Sequence, residues 1–363
     1  MKIVTIVGAR PQFIKAAPVS RAIAEHNRLT PYPFSLTEVI VHTGQHFDAD
    51  MSDVFFRELD IPKPGYNLGI NSASHGVMTG RMLEKIEEIL IKEKPDCVLV
   101  YGDTNSTIAG ALAAVKLYIP IGHIEAGLRS FNREMPEEIN RVTTDHISKF
   151  LFCPTKTAIN NLKKEGITKG AYLVGDVMYD VFKSRIIGLM PEILQKLKLK
   201  PKEYHLLTIH RQENKNAENL ETILFALREL KEKIVFPVHP GIWKILKTVK
   251  SFKKKDFKNF LFIRPVSYTE MLVLEKNAKK ILTDSGGVQK EAYWFKVPCI
   301  TLRKETEWVE TMEAGWNVLV GADRKKIINA VRSFKTDNPR PELYGDGSAA
   351  EKIVQHLTAH QIT

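Results

Sequence analysis

Short apolar runs recur along most of the chain, each ending in a glycine or polar turn and each followed by a helical stretch. That alternation restricts the fold more than any other feature. The runs Ile3–Val7, Val39–His42, Cys97–Tyr101, Ile121–Ile124, Phe150–Cys153 and Tyr172–Val174 are short and almost wholly apolar, as strands buried on both faces are. Strands alternating with helices predict a doubly wound parallel sheet. Between Phe182 and Tyr204 the alternation lapses into a stretch rich in lysine, leucine and proline, where a domain junction is expected. It restarts at Tyr204–Ile209 and continues through Ile234–Val238, Phe260–Ile263, Ile281–Thr283, Pro298–Thr301 and Asn317–Val320. The expected architecture is therefore α/β, with two Rossmann-like domains whose functional edges face a central cleft. The expected boundaries are 1–180, 181–345 and a terminal segment, 346–363. In that segment Ala349–His360 reads as an amphipathic helix able to pack on either domain. A length of 363 residues suits two domains.

Composition narrows the class of partner. The 44% apolar content is enough for full globular cores, and the net charge of +11 is spread along the chain rather than blocked. The run Lys253-Lys254-Lys255 reads as a solvated loop, and no interleaved aromatics or nucleic-acid motif accompany it. A basic surface suits a small anionic substrate. Cys97, Cys153 and Cys299 are isolated in apolar stretches, which predicts buried thiols in a reducing compartment and no metal site. The apolar start of the chain breaks at Gly8 and Arg10, too early for a signal segment, and no later apolar run has membrane length. A cytoplasmic protein without membrane or nucleic-acid partners is expected.

In parallel sheets, ligands bind beyond the carboxyl ends of the strands. In the first half those ends carry Arg10, His46, Asp103 and Glu125. Arg10 and Lys15 flank a helix expected to start at Pro11, where they suit a phosphate or serve as plain surface charges. The turn after the first strand has one glycine, not Gly-x-Gly-x-x-Gly, which argues against a bound nicotinamide. Pro136-Glu137-Glu138 reads as the acidic first turn of a helix, with Glu137 and Arg141 spaced for an ion pair. In the second half His210 shares a loop with Arg211, Glu213 and Asn214, whereas His239 stands alone after its strand and reads as structural.

The segment Lys280–Ala292 is the sharpest signal there. A strand stops at Thr283-Asp284-Ser285, two glycines follow, and a helix is expected from Val288 to Phe295. Free N–H groups at a helix start, with the helix dipole, suit a phosphate. Gly286 and Gly287 let a ligand approach the backbone. Glu291, one turn along, can accept hydrogen bonds from a ribose diol. The plainer reading is a helix capped by Asp284 or Ser285 with a surface glutamate at 291.

Gly8-Ala-Arg-Pro-Gln, Gly102-Asp-Thr, His123-Ile-Glu-Ala-Gly-Leu-Arg, Pro136-Glu-Glu-Ile-Asn-Arg, Thr208-Ile-His-Arg-Gln-Glu-Asn and Thr283-Asp-Ser-Gly-Gly-Val-Gln-Lys-Glu-Ala occur in that order. Together they resemble the non-hydrolysing UDP-N-acetylglucosamine 2-epimerases over roughly residues 1–350. The resemblance implies a glycosyltransferase-B-like fold with its active site between domains. It further implies reversible conversion of UDP-GlcNAc to UDP-ManNAc, a homodimer and no dissociable cofactor. Nucleotide contacts would fall on Arg10, Ser285, Gly286, Gly287 and Glu291, and sugar or catalytic roles on Lys15, Asp103, Glu125, Glu137, Arg141 and His210. A regulatory site for a second substrate molecule would draw on Gln45, His46, Arg211 and His239. Three departures stand out. The family's Thr-Glu-Arg-Pro-Glu is Thr306-Glu-Trp-Val-Glu310, Asp48 replaces a glutamine of the regulatory motif, and Asn71-Ser72-Ala73 lacks the basic residue expected there.

The C2 proton of such a sugar is not next to a carbonyl, so direct abstraction is hard. Expelling UDP from C1 while a base takes the C2 proton gives a glycal with a C1–C2 double bond. UDP then adds back, with the proton delivered to the opposite face. This needs a stabilised leaving phosphate and acid/base groups near C2. Asp103, Glu125 and Glu137 form the acid/base pool, with His210 placed to serve the departing phosphate. Alternatives are a C2 epimerase of a modified UDP-HexNAc, a hydrolysing epimerase, a glycosyltransferase of the same fold and a non-catalytic nucleotide-sugar sensor.

Overall fold

The computed structural model describes residues 1–30, 35–45, 61–71, 73–249 and 251–359, and of Arg10 and Gln212 the backbone alone. The chain divides into two compact units, Met1–Ser184 with Glu342–Thr363, and Arg185–Pro341.

Unit 1 is built on β1 (Lys2–Val7), β2 (Thr37–His42), β3 (Tyr66–Asn67), β4 (Cys97–Tyr101), β5 (Ile121–Ile124), β6 (Phe150–Cys153) and β7 (Ala171–Leu173). They form one parallel sheet in the order β3-β2-β1-β4-β5-β6-β7. Val4 of β1 lies opposite Val39 and Val98, and all of β4 is buried, which is why these runs carry no polar alternation. Helices His75–Glu93 and Asn105–Lys116 cover β1, β2 and β4 through Met82, Ile86, Ala109 and Ala113. Helix Ala349–Ala359 belongs to this unit. It buries Ile353, Val354 and Leu357, packs on helix Arg10–Leu29, and its first N–H groups reach the Asp180 carboxylate at 3.2 and 2.8 Å.

Unit 2 is built on β8 (Tyr204–Thr208), β9 (Lys233–Pro237), β10 (Phe260–Ile263), β11 (Lys280–Thr283), β12 (Cys299–Thr301) and β13 (Asn317–Leu319). They form a second parallel sheet in the order β10-β9-β8-β11-β12-β13. Alternate residues go to opposite faces. Leu207 and Leu282 join one apolar cluster, and Leu206 and Ile281 join the other. Two separate cores flanking one sheet are what helices on both faces produce.

In each sheet the chain runs outward from its first strand and then returns to that strand's other side. The reversal falls between β1 and β4 in unit 1 and between β8 and β11 in unit 2. Ligands of such sheets bind at the carboxyl edge of that reversal. It puts residues 8–15 beside 102–105, and residues 209–214 beside 284–287. Gln12 knits the first of these edges. Its Oε1 accepts the Gly8 and Ala9 N–H groups at 2.9 and 3.0 Å, and its Nε2 donates to the Tyr101 carbonyl at 2.9 Å.

Some elements have no counterpart in the sequence reading. Strand β3 spans two residues, too short to show periodicity. Helix His75–Glu93 begins after Ser74, whose side chain makes no cap. The lapse before Tyr204 takes in the end of helix Val177–Arg185 and all of helix Glu192–Lys196, which buries Ile193 and Leu194.

Candidate active site

The edge of unit 1 is organised around Glu125. It follows β5 with φ 72°, a left-handed conformation that costs a non-glycine residue on the order of 1–3 kcal/mol. Its N–H and that of Ala126 both reach the Phe152 carbonyl at 3.1 Å, which holds the strained turn. The Glu125 carboxylate accepts a hydrogen bond from Lys15 Nζ, and both side chains are almost wholly buried. Gly102 sits against the pair. A Cβ there would come within 3.0 Å of Lys15 Nζ and 3.3 Å of Glu125 Oε2.

Asp103 is next in the chain and about one-quarter exposed; its carboxylate pairs with Arg141. Arg141 is 2% exposed and also holds Glu138 Oε2 at 3.0 Å. Asp103, Glu138 and Arg141 therefore form one network. Glu137, the expected site residue of the Pro136–Ile147 helix, is only partly buried, whereas Glu138 is 1% exposed and accepts the Ser130 and Phe131 N–H groups at 2.9 and 3.0 Å. Two adjacent first-turn glutamates cannot be told apart by spacing, so the buried one was missed. His123 was also missed. It links the Gly102 carbonyl at 2.7 Å to the Asp145 carboxylate at 2.6 Å, and Asp145 also takes Arg129 Nη1 at 2.6 Å.

The edge of unit 2 is organised around Asp284, which is fully buried. The sequence offered it as a helix cap. Its carboxylate instead accepts the His210 and Arg211 N–H groups at 2.7 and 3.1 Å and Asn214 Nδ2 at 3.1 Å, fixing the loop after β8. Burial pushes its carboxyl up, against the opposing pull of those donors. Ser285 occupies the cap position of helix Gly286–Trp294 but makes no side-chain cap bond. A helix opened by two glycines with no side-chain cap leaves its first-turn N–H groups directed at the carboxyl edge.

Gly286 also answers to the protein itself. A Cβ there would lie 2.7 Å from Trp308 Nε1 and 2.8 Å from Glu307 Oε1. Glu307 and Trp308, in the segment that departs from the family pattern, thus pack on Gly286. Glu307 bridges Arg211 Nη2 at 3.3 Å and Arg303 Nη1 at 2.8 Å, and the Trp308 ring lies 3.9 Å from Lys290 Nζ. Glu291 is not on the surface. It is 3% exposed and accepts the Tyr268 hydroxyl at 2.8 Å.

The remaining candidates are placed as follows. His210 is exposed at the end of its loop, and Arg10 opens its helix, its backbone alone being described. Gln45 accepts from Ser106 N and Oγ at 3.2 and 2.7 Å, while His46 and Asp48 lie outside the described residues. His239 caps helix Pro240–Thr248 by accepting the Gly241 N–H at 3.1 Å. Among the described residues no cluster of His, Cys, Asp and Glu has metal-binding geometry. The cysteines are buried and free, with the Cys97 and Cys299 thiols pushed up to about 12 by burial.

The family model for UDP-N-acetylglucosamine 2-epimerase matches residues 31–358. The chain belongs to that family. A Methanococcus maripaludis protein named as a UDP-N-acetylglucosamine 2-epimerase homolog is 58% identical, over 98% of this chain and 99% of that one. The UDP-2,3-diacetamido-2,3-dideoxy-D-glucuronate 2-epimerase of Pseudomonas aeruginosa is 50% identical, again over 98% and 99%. The Methanocaldococcus jannaschii UDP-GlcNAc 2-epimerase, solved in complex with UDP-GlcNAc and UDP, superposes with a TM-score of 0.91. It is 46% identical, with 99% of this chain and 100% of that one covered. Both parallel-sheet units are thus shared with the family, and no described helix is long and apolar enough to cross a membrane.

Proposed function

We propose that the chain epimerises C2 of a UDP-2-acetamido sugar, with UDP-N-acetylglucosamine and UDP-N-acetylmannosamine as the interconverting pair. The observation that carries this reading is the set of charged groups at the unit 1 edge in a chain of this family. There Glu125, on strained backbone, is paired with Lys15, and Asp103 with Arg141.

In this reading the C1–O bond to UDP breaks as a carboxylate takes the C2 proton, and the electron pair becomes the C1–C2 double bond. Asp103, Glu125 and Glu137 are the acid/base groups, and Lys15 and Arg141 aim two of them. The departing diphosphate is held by the N–H groups at Gly286 and Gly287, with Ser285, Arg10 and His210. Glu291, oriented by Tyr268, takes the ribose diol. The bond to UDP re-forms after the proton has returned to the opposite face of C2. No atom changes its net oxidation state, so the route calls for no redox partner. We also place the enzyme in the cytoplasm, as a homodimer supplying sugars for surface polysaccharide or glycan synthesis. Gln45, His46, Arg211 and His239 remain the residues for a second, regulatory substrate molecule.

A second substrate is favoured by the 50% identity to the Pseudomonas aeruginosa enzyme named for a diacetamido glucuronate. The chemistry at C1 and C2 is the same. Incubation of the enzyme with each UDP-sugar in deuterated water, followed by proton NMR, decides between them. A UDP-ManNAc-type product carrying deuterium at C2 from UDP-GlcNAc supports the main reading, and turnover of the diacetamido glucuronate alone supports the second. Release of free sugar, or no exchange with either, refutes both. Light scattering with and without UDP tests the homodimer.

A further inference from the structure

Phe131 stands apart from its surroundings. Residues 121–130 are all buried, yet the Phe131 side chain is 71% exposed and its backbone has φ 58°. A bulky residue in the left-handed region is strained, and an exposed benzyl group gains nothing from burial. Glycine would relieve the strain. The protein instead fixes this backbone with a buried carboxylate. Glu138 accepts the Phe131 N–H at 3.0 Å and the Ser130 N–H and hydroxyl at 2.9 Å each.

The same carboxylate ties the aromatic to the acid/base groups. Glu138 Oε2 takes Arg141 Nη1 at 3.0 Å, and the other arm of Arg141 holds Asp103. Phe131 also lies midway in sequence between Glu125 and Glu137. An exposed ring on strained backbone, wired to Asp103 through two residues at most 2% exposed, is a presented group rather than loose surface.

The proposed reaction gives such a ring a task, and the inference rests on that reading. Once the C1–O bond has broken, the phosphate carries away the electron pair and the negative charge. The C2 proton sits on a carboxylate, and the glycal left behind is neutral. It has lost its anionic handle, so the groups that grip the diphosphate no longer hold it. Its ring C–H groups and C1–C2 double bond offer an apolar face, which an aromatic side chain complements. We propose that Phe131 contacts the sugar and retains the neutral glycal while UDP is detached.

The test compares wild type, Phe131→Ala, Phe131→Gly and Phe131→Tyr with UDP-GlcNAc and with the diacetamido glucuronate, in deuterated water. NMR follows epimerised product against free UDP plus free glycal, and thermal unfolding is read in parallel. Expected is a tenfold or larger rise in glycal released per epimerisation for the alanine and glycine variants. Phe131→Tyr keeps the wild-type ratio, and Phe131→Gly is at least as stable as wild type because its backbone favours this φ. A merely structural phenylalanine would alter stability without moving that ratio. A wild-type enzyme that turns over while both truncations keep its ratio overturns the inference alone. A wild-type chain inert toward both sugars overturns the epimerase reading and the inference with it.

Discussion

Lys15 Nζ donates to the Glu125 carboxylate although 110 residues separate them, and the two side chains are only 9% and 8% exposed. A buried ion pair is weak evidence for stability as a pair, but breaking it is expensive, because one charge is left without a partner. Lys15→Ala is expected to destabilise unit 1 by about 3–5 kcal/mol. The double variant Lys15→Met with Glu125→Leu should recover most of that loss while restoring no turnover. Urea midpoints with C2 exchange rates check both halves. Equal stability of the single and double variants would show that the pair is not energetically coupled.

Asp284 is the anchor of unit 2. Asp284→Ala removes the acceptor of two backbone N–H groups and one side-chain amide, at about 1–3 kcal/mol for each bond left unmade in the interior. The His210 loop should loosen with it. The expected result is a fall in unfolding free energy together with weaker UDP binding by calorimetry. Asp284→Asn, which keeps one acceptor oxygen, should lie between. Unchanged UDP affinity in the alanine variant would separate the loop from the nucleotide.

Gly286→Ala places a methyl group against Trp308 and Glu307, both buried and both held, the indole by Lys290 and the carboxylate by two arginines. The helix start must shift, and UDP affinity should fall at least about tenfold, or about 1.4 kcal/mol. Adding Trp308→Ala opens room for the methyl and should recover part of the affinity. If the second substitution deepens the loss, Trp308 contributes to nucleotide binding directly.

Asp145 carries a pH dependence. Burial raises its carboxyl, but His123 and Arg129 outweigh burial and hold it below the ordinary value of 3.8. The folded state thus releases this proton more readily than the unfolded chain. The stability it supplies is complete above 3.8 and is lost as pH falls through the lower folded value. Asp145→Asn should cost about 1.5–3 kcal/mol at neutral pH. The gap to wild type should narrow below pH 3.8, as denaturation midpoints in an acid series will show. A gap independent of pH would assign the loss to packing.

The strands were legible because their evidence is local. Apolar runs such as Cys97–Tyr101 and Phe150–Cys153 are strands over those same residues. The lapse before Tyr204 was legible as a break in pattern, but not as the helix Glu192–Lys196 that it contains. Strand ends and the helix start after the first strand also named residues that the fold gathers, since the reversal of strand order brings Lys15, Gly102 and Glu125 to one edge.

The sequence by itself determined which residues stand at the carboxyl ends of the strands, because strand length, turn and helix start are set by neighbours in the chain. Only the tertiary structure decided what those residues do there. It made Glu138 the buried partner of Arg141, turned Asp284 from a cap into the anchor of a loop 74 residues away, set Trp308 against Gly286, and gave Glu125 and Phe131 left-handed backbones. The physical reason is that burial, charge pairing and backbone strain depend on groups brought in from other elements, and no local pattern records which of them arrive.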